Sequence, residues 1–111
     1  MPAKKSNSKK QTTGTTEEWF DRSGNRVVLV GKIKRIVFEN DNVCKFSIDC
    51  VNKTDKGNYA HAFITCVQFK SSCDYEIAED ELVSISGRIQ TTSYNGNYST
   101  QIVCDKIYEE Q

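Results

Sequence analysis

Five aromatic side chains, Tyr59, Phe63, Phe69, Tyr94 and Tyr98, are interleaved with the cations Lys45, Lys53, Lys56, Lys70 and Arg88, and Lys32, Lys34 and Arg35 form a further basic cluster upstream. This combination has one well-defined chemistry. Flat rings stack on the exposed faces of unpaired nucleobases while cations follow the phosphates, and each stack contributes ~1–3 kcal/mol whatever the base. Tyr94 and Tyr98 flank a turn, where burial is hard to arrange, which favours exposure and binding. Phe63 and Phe69 share strand parity with Val67, which is expected to face inward, so they point outward only if a bulge intervenes. Phe46 alternates with Ile48 and Cys50 and reads as core, and Trp19 with Phe20 reads as a plug over one end of the fold.

Bond-making chemistry is poorly supplied. The chain has no Gly-rich phosphate loop, no His-Glu-x-x-His and no nucleophile elbow. His61, the only histidine, lies between Tyr59 and Phe63 and reads as a solvent-facing or satisfied strand residue rather than a catalytic base. Five cysteines (Cys44, Cys50, Cys66, Cys73, Cys104) make an odd count without a Cys-x-x-Cys pair. They read as small buried apolar residues of a reducing compartment, which places the protein in the cytoplasm. The acidic group Asp74, Glu76, Glu79, Asp80 and Glu81 lacks the spacing of a calcium loop and reads as a solvated helix face. No enzyme activity, cofactor or metal is expected.

The elements that must position the aromatic and basic residues are strands. A chain of 111 residues forms one domain. Lys plus Arg and Asp plus Glu each total 15, so the net charge is zero and only its distribution can favour a polyanion. Lys4, Lys5, Lys9 and Lys10 lie in an N-terminal arm, residues 1–24 with the lead-in, whose first 16 or so residues are too polar to fold. That arm is either a solvating tail or a flexible phosphate contact. The domain proper spans 25–108, and 109–111 close the chain. Val27 to Phe38 reads as a long first strand in which Gly31 marks a bend or bulge. Cys44–Cys50 alternates as a second strand, Asn52–Asn58 as its turn, and Tyr59 to Phe69 as the return strand. Residues 70–80 carry the one helix expected, short and acidic. Leu82–Gln90 and Ser99–Ile107 are joined across Asn95-Gly96, whose residue types supply the positive φ angles of a tight hairpin. Five strands with one short helix between the third and fourth describe an all-β OB-fold barrel. No apolar run approaches the ~18 residues of a membrane span, and no membrane association is expected.

Asn25-Arg26-Val27-Val28-Leu29-Val30-Gly31-Lys32-Ile33 resembles the opening strand of bacterial single-stranded-DNA-binding proteins, which read Asn-x-Val-x-Leu-x-Gly-x-Leu. Leu82-Val83-Ser84-Ile85-Ser86-Gly87-Arg88-Ile89-Gln90-Thr91-Thr92-Ser93-Tyr94 resembles that family's Leu-Val-x-Val-x-Gly-Arg-Leu-x-Thr-Arg-x-Trp/Tyr, and Thr100–Ile107 its next strand. The resemblance covers residues 25–108. It implies an OB fold, sequence-independent coating and protection of single-stranded DNA in replication, recombination or repair, and assembly as a homotetramer or at least a homodimer. It also implies that Phe63 matches a stacking tryptophan, Phe69 a phenylalanine six residues later, and Tyr94 the aromatic at the tip of the fourth strand.

Three departures stand beside it. The chain stops at Tyr108-Glu109-Glu110-Gln111, where the family continues into a Gly- and Pro-rich tail with an acidic partner-docking tip. The segment between Phe69 and Leu82 is short, and some 24 residues precede the first strand. These imply a short, divergent member encoded by a phage or mobile element, in which tail-mediated docking to replication or recombination proteins is doubtful. The alternative is an OB-fold adaptor, a primosome-type protein-interaction subunit with weak nucleic-acid binding.

Overall fold

Alternation of β-branched and polar residues draws out five long strands: β1 (Val27–Glu39), β2 (Val43–Lys53), β3 (Tyr59–Phe69), β4 (Leu82–Tyr94) and β5 (Asn97–Glu109). The structure is a computed structural model that describes residues 24–110. The basic arm and the expected plug of Trp19 and Phe20 lie outside the described residues. The strands close into a barrel in the order β1-β2-β3-β5-β4, with β4 returning to β1. All pairings are antiparallel except β3 with β5, a narrow parallel seam of Cys66 with Ile102 and Val67 with Val103.

Residues directly opposite in an antiparallel ladder share a face, so the register assigns each side chain to the barrel interior or exterior. The pairs Ile33/Ile48, Phe46/Cys66 and Ile85/Ile107 point inward and form the core with Cys44, Val83, Ile102 and Cys104. Cys44, Cys66, Cys73 and Cys104 are buried free thiols and Cys50 is half-buried, as their apolar reading requires. Burial pushes the thiols of Cys44, Cys50 and Cys73 up, and hydrogen bonding to Cys66 together with burial does the same at Cys104.

Gly31 stands where β1 passes from pairing with β4 to pairing with β2. A Cβ there would lie 2.6 Å from the Asp49 carbonyl oxygen and 2.8 Å from the Ile48 side chain. Close approach is therefore its role, and the bulges of β1 fall beyond it, at Lys34 and Val37. Asn95 (φ 52°) and Gly96 (φ 79°) form the expected turn with positive φ at both positions.

The helix expected over residues 70–80 is absent. Cys73 and Ile77 are buried and Tyr75 partly so, while Asp74 and Glu76 are exposed. That period of two belongs to extended chain. The segment lies across one end of the barrel, where the buried Gln68 amide donates from Nε2 to the carbonyls of Cys73 and Tyr75 at 2.9 and 2.6 Å. It then joins β1: Ile33 N–H donates to the Glu81 carbonyl and Asp80 N–H to the Ile33 carbonyl, with Asp80 at φ 69°. Main-chain groups tied to β1 and to Gln68 in this way are withdrawn from any helical ladder.

Candidate nucleic-acid interface

The β2–β3 ladder runs without a register shift. The exterior pairs are Val43/Phe69, Lys45/Val67, Ser47/Thr65, Asp49/Phe63, Val51/His61 and Lys53/Tyr59. β1 adds Lys32 opposite Asp49, Arg35 opposite Ser47 and Phe38 opposite Lys45. One outer face of β1-β2-β3 thus gathers Lys32, Arg35, Lys45, Lys53, Tyr59, Phe63 and Phe69. Lys34 occupies a bulge, and lines a shallow groove with Lys32, Asp49 and Val51.

Phe63 and Phe69 are 64% and 43% exposed, and Val67, between them on the same face, is 1% exposed. No bulge separates them. At Val67 the strand is covered on both sides, since Cys66 and Gln68 are buried as well, so burial there says nothing about the parity of its neighbours. Beyond Ile64 the β2–β3 hairpin leaves the core, and Tyr59 to Phe63 are all exposed. Lys56 lies in the turn at its tip.

β4 and β5 form a second exposed arm. Because β3 and β5 run parallel and each begins at a hairpin tip, both arms leave the barrel at the same end. On the exterior of the second arm Arg88 faces Val103, Gln90 faces Gln101, Thr92 hydrogen-bonds Ser99 and Tyr94 faces Asn97. Tyr98 faces Ser93, on the opposite side. Both tyrosines are 78% exposed, but they do not share a surface. The root of this arm is held by Asn25, whose side-chain amide both donates to the Ile89 carbonyl (3.0 Å) and accepts from the Ile89 N–H (2.9 Å), continuing the ladder as a peptide group would.

Two of the expected cations are already occupied. Lys70 pairs with Glu39 at 2.7 Å near the opposite end of the barrel, a hydrogen bond that holds its pKa above the usual lysine value. Arg88 pairs with Asp105.

Asp49 and His61, not expected from the sequence, are also members of this face. His61 Nδ1 lies 3.0 Å from both carboxylate oxygens of Asp49. Its ring runs nearly parallel to Phe63, with centroids 6.0 Å apart and an interplanar angle of 10°. The signal was present in the spacing, since His61 and Phe63 are i and i+2 on one strand and must share a face. Of the acidic group, Glu81 accepts a hydrogen bond from Tyr75 Oη (2.9 Å) and Glu79 one from the Ile36 N–H (3.2 Å). Among the described residues no cluster of His, Cys, Asp and Glu is placed to hold a metal ion, and no helix is long and apolar enough to cross a membrane.

Compared by sequence, the chain matches no protein-family model and no curated protein. Its fold is similar to solved ones. The mitochondrial single-stranded DNA binding protein Rim1 of S. cerevisiae aligns over 77% of this chain and 92% of its own, with a TM-score of 0.58 and 15% identity. The small single-stranded DNA-binding protein of Streptomyces coelicolor aligns over 77% and 91%, with a TM-score of 0.54 and 15% identity. At this identity the likeness establishes the architecture, a closed five-stranded barrel of the OB type.

Proposed function

We propose that the chain binds single-stranded DNA along the outer face of β1-β2-β3 and coats it with little sequence preference. The observation that carries this reading is the unbroken register of β2 and β3, which sets Tyr59, Phe63 and Phe69 on one side of the barrel with Lys45, Lys53, Lys32 and Arg35 beside them. Rings exposed at the spacing of a strand suit successive unpaired bases, and the flanking cations suit the backbone that joins them. The solved proteins of similar fold bind single-stranded DNA, which supports the reading.

In the same reading the chain serves replication, recombination or repair as a phage- or mobile-element-type coating protein and assembles with copies of itself into a homotetramer or a dimer. Val28, Val30 and Leu82, exposed on the adjoining exterior of β1 and β4, offer the apolar surface such assembly needs. Binding to a poly-dT oligonucleotide, an RNA of the same length and a duplex, measured at two salt concentrations, tests the proposal. Tight, salt-sensitive binding to the DNA single strand alone is expected. Indifference among the three would overturn it and leave the adaptor reading. Light scattering with and without DNA reads the assembly state.

A further inference from the structure

We propose that His61 is itself a contact residue of the DNA face, stacking a base beside Phe63 and, when protonated, donating to a phosphate, so that its charge sets a pH dependence of single-strand affinity. The inference rests on the reading of this face as the DNA-binding surface. Asp49 accepts from Nδ1, which fixes the ring parallel to Phe63 and leaves Nε2 for a ligand. The side chain of His61 is 49% exposed and that of Asp49 only 13%, so the imidazole is the outward partner of the pair.

The chemistry of Nε2 then has two states. In the neutral ring, with its proton on Nδ1 toward Asp49, Nε2 carries a lone pair and repels a phosphate oxygen. In the imidazolium both nitrogens donate, and Nε2–H is aimed at what the face binds. Protonation also cancels the Asp49 charge, the one acidic group among the exterior residues of β2 and β3. The other charged and titratable groups facing the pair are Lys32 and Lys34 from β1, Lys53 from β2 and Tyr59 from β3 itself. β5 does not reach this level, since its pairing with β3 is confined to Cys66 and Val67. The sequence holds a single histidine, and histidine is the side chain whose charge ordinarily changes between about pH 5 and 8.

Poly-dT affinity of the full chain, measured from about pH 8 to about pH 5.5, is expected to rise roughly three- to tenfold, the scale of one added cation–phosphate contact. His61→Phe keeps a ring that cannot be protonated, and its affinity is expected to stay flat from about pH 8 to about pH 5.5. His61→Ala is expected to bind about fivefold or more weakly throughout, the lower end of one lost stack. The imidazole resonances, unique in the spectrum, are expected to shift when poly-dT is added near pH 8. A pH dependence that survives in His61→Phe, or is missing from the unaltered protein, would overturn the inference and leave the DNA-coating reading intact. Absence of poly-dT binding at every pH would instead overturn that reading.

Discussion

Tyr94 and Tyr98 flank the same two-residue turn and project from opposite faces of its hairpin, because Tyr94 stands opposite Asn97 and Tyr98 opposite Ser93. Only Tyr94 lies on the exterior surface that continues from Arg88, Gln90 and Thr92. A strand of DNA that follows the barrel exterior meets Tyr94 and misses Tyr98. Tyr94→Ala is therefore expected to weaken poly-dT binding by about tenfold, within the ~1–3 kcal/mol of one stacked base. Tyr98→Ala is expected to change it by no more than about twofold, well below that range. Fluorescence titration of the two variants checks this, and equal losses would place the DNA between the two arms.

Phe63 is more exposed than Phe69 and carries the parallel His61 ring beside it. Neither belongs to the core cluster. Phe63→Ala is expected to cost ~1–3 kcal/mol of binding and Phe69→Ala less. Phe63→Ala is expected to leave the unfolding temperature nearly unchanged, since its mostly exposed ring contributes little burial, whereas the more covered Phe69 is expected to lower it modestly when truncated. A large loss of stability in Phe63→Ala would show the ring to be structural.

Cations that already hold an acid release fewer counterions when DNA arrives. Lys70 is bonded to Glu39 and Arg88 to Asp105, whereas Lys45 and Lys53 stand on the aromatic face with no acid within bonding distance among the described residues. Replacing Lys45 or Lys53 by Ala is expected to reduce the slope of log affinity against log salt by ~0.7, one phosphate contact on a single strand. Replacing Lys70 or Arg88 is expected to change it by less than half as much. Binding isotherms at four or so salt concentrations read the slopes directly.

How far the fold is legible in the sequence depends on whether a signal is local. Strands β3 and β5 and the Asn95-Gly96 turn were legible because alternation and turn chemistry are local signals, complete within a few residues. The segment from Lys70 to Glu81 reads as a helix because its acidic residues mask three apolar positions, Cys73, Tyr75 and Ile77, whose spacing of two is the signal of extended chain. Even so, its extended path is fixed by the neighbouring Gln68 side chain and by Ile33, far along the chain on β1, and main-chain bonds to so distant a partner leave no local trace. The separation of Tyr94 from Tyr98 needed only the hairpin register. The partnering of Lys70 and Arg88 needed the fold, since Glu39 and Asp105 lie on other strands.

Gly87 has a role that its sequence context alone does not reveal. β4 and β5 are offset by one residue between Ser86 and Gly87, and a Cβ on Gly87 would collide with the Val103 carbonyl. The obstacle is backbone, which cannot swing aside as a flexible side chain could. Gly87→Ala is expected to destabilise the barrel by about 1–3 kcal/mol, the usual cost of overpacking. Gly57, whose added Cβ meets nothing within 4 Å but whose φ is +86°, is expected to suffer only the smaller cost of a left-handed alanine. Chemical denaturation of the two variants ranks them, and a Gly87→Ala protein as stable as the parent would contradict the close packing of β4 on β5.

Tyr75 couples the barrel cap to pH at the alkaline end. Desolvation first, and then its hydrogen bond to Glu81, push its phenol up to about 12 from an ordinary value of 10.0. The folded state therefore retains a proton that the unfolded state releases. Stability from this group is complete below about pH 10, and falls as pH rises from the unfolded toward the folded value, because the native state then binds more protons than the denatured one. In a spectrophotometric titration one of the five tyrosines, Tyr75, is expected to ionise late, near pH 12. Tyr75→Phe is expected to remove that late step and to flatten the loss of stability between about pH 10 and 12. Retention of the late step in the variant would move the assignment to another tyrosine.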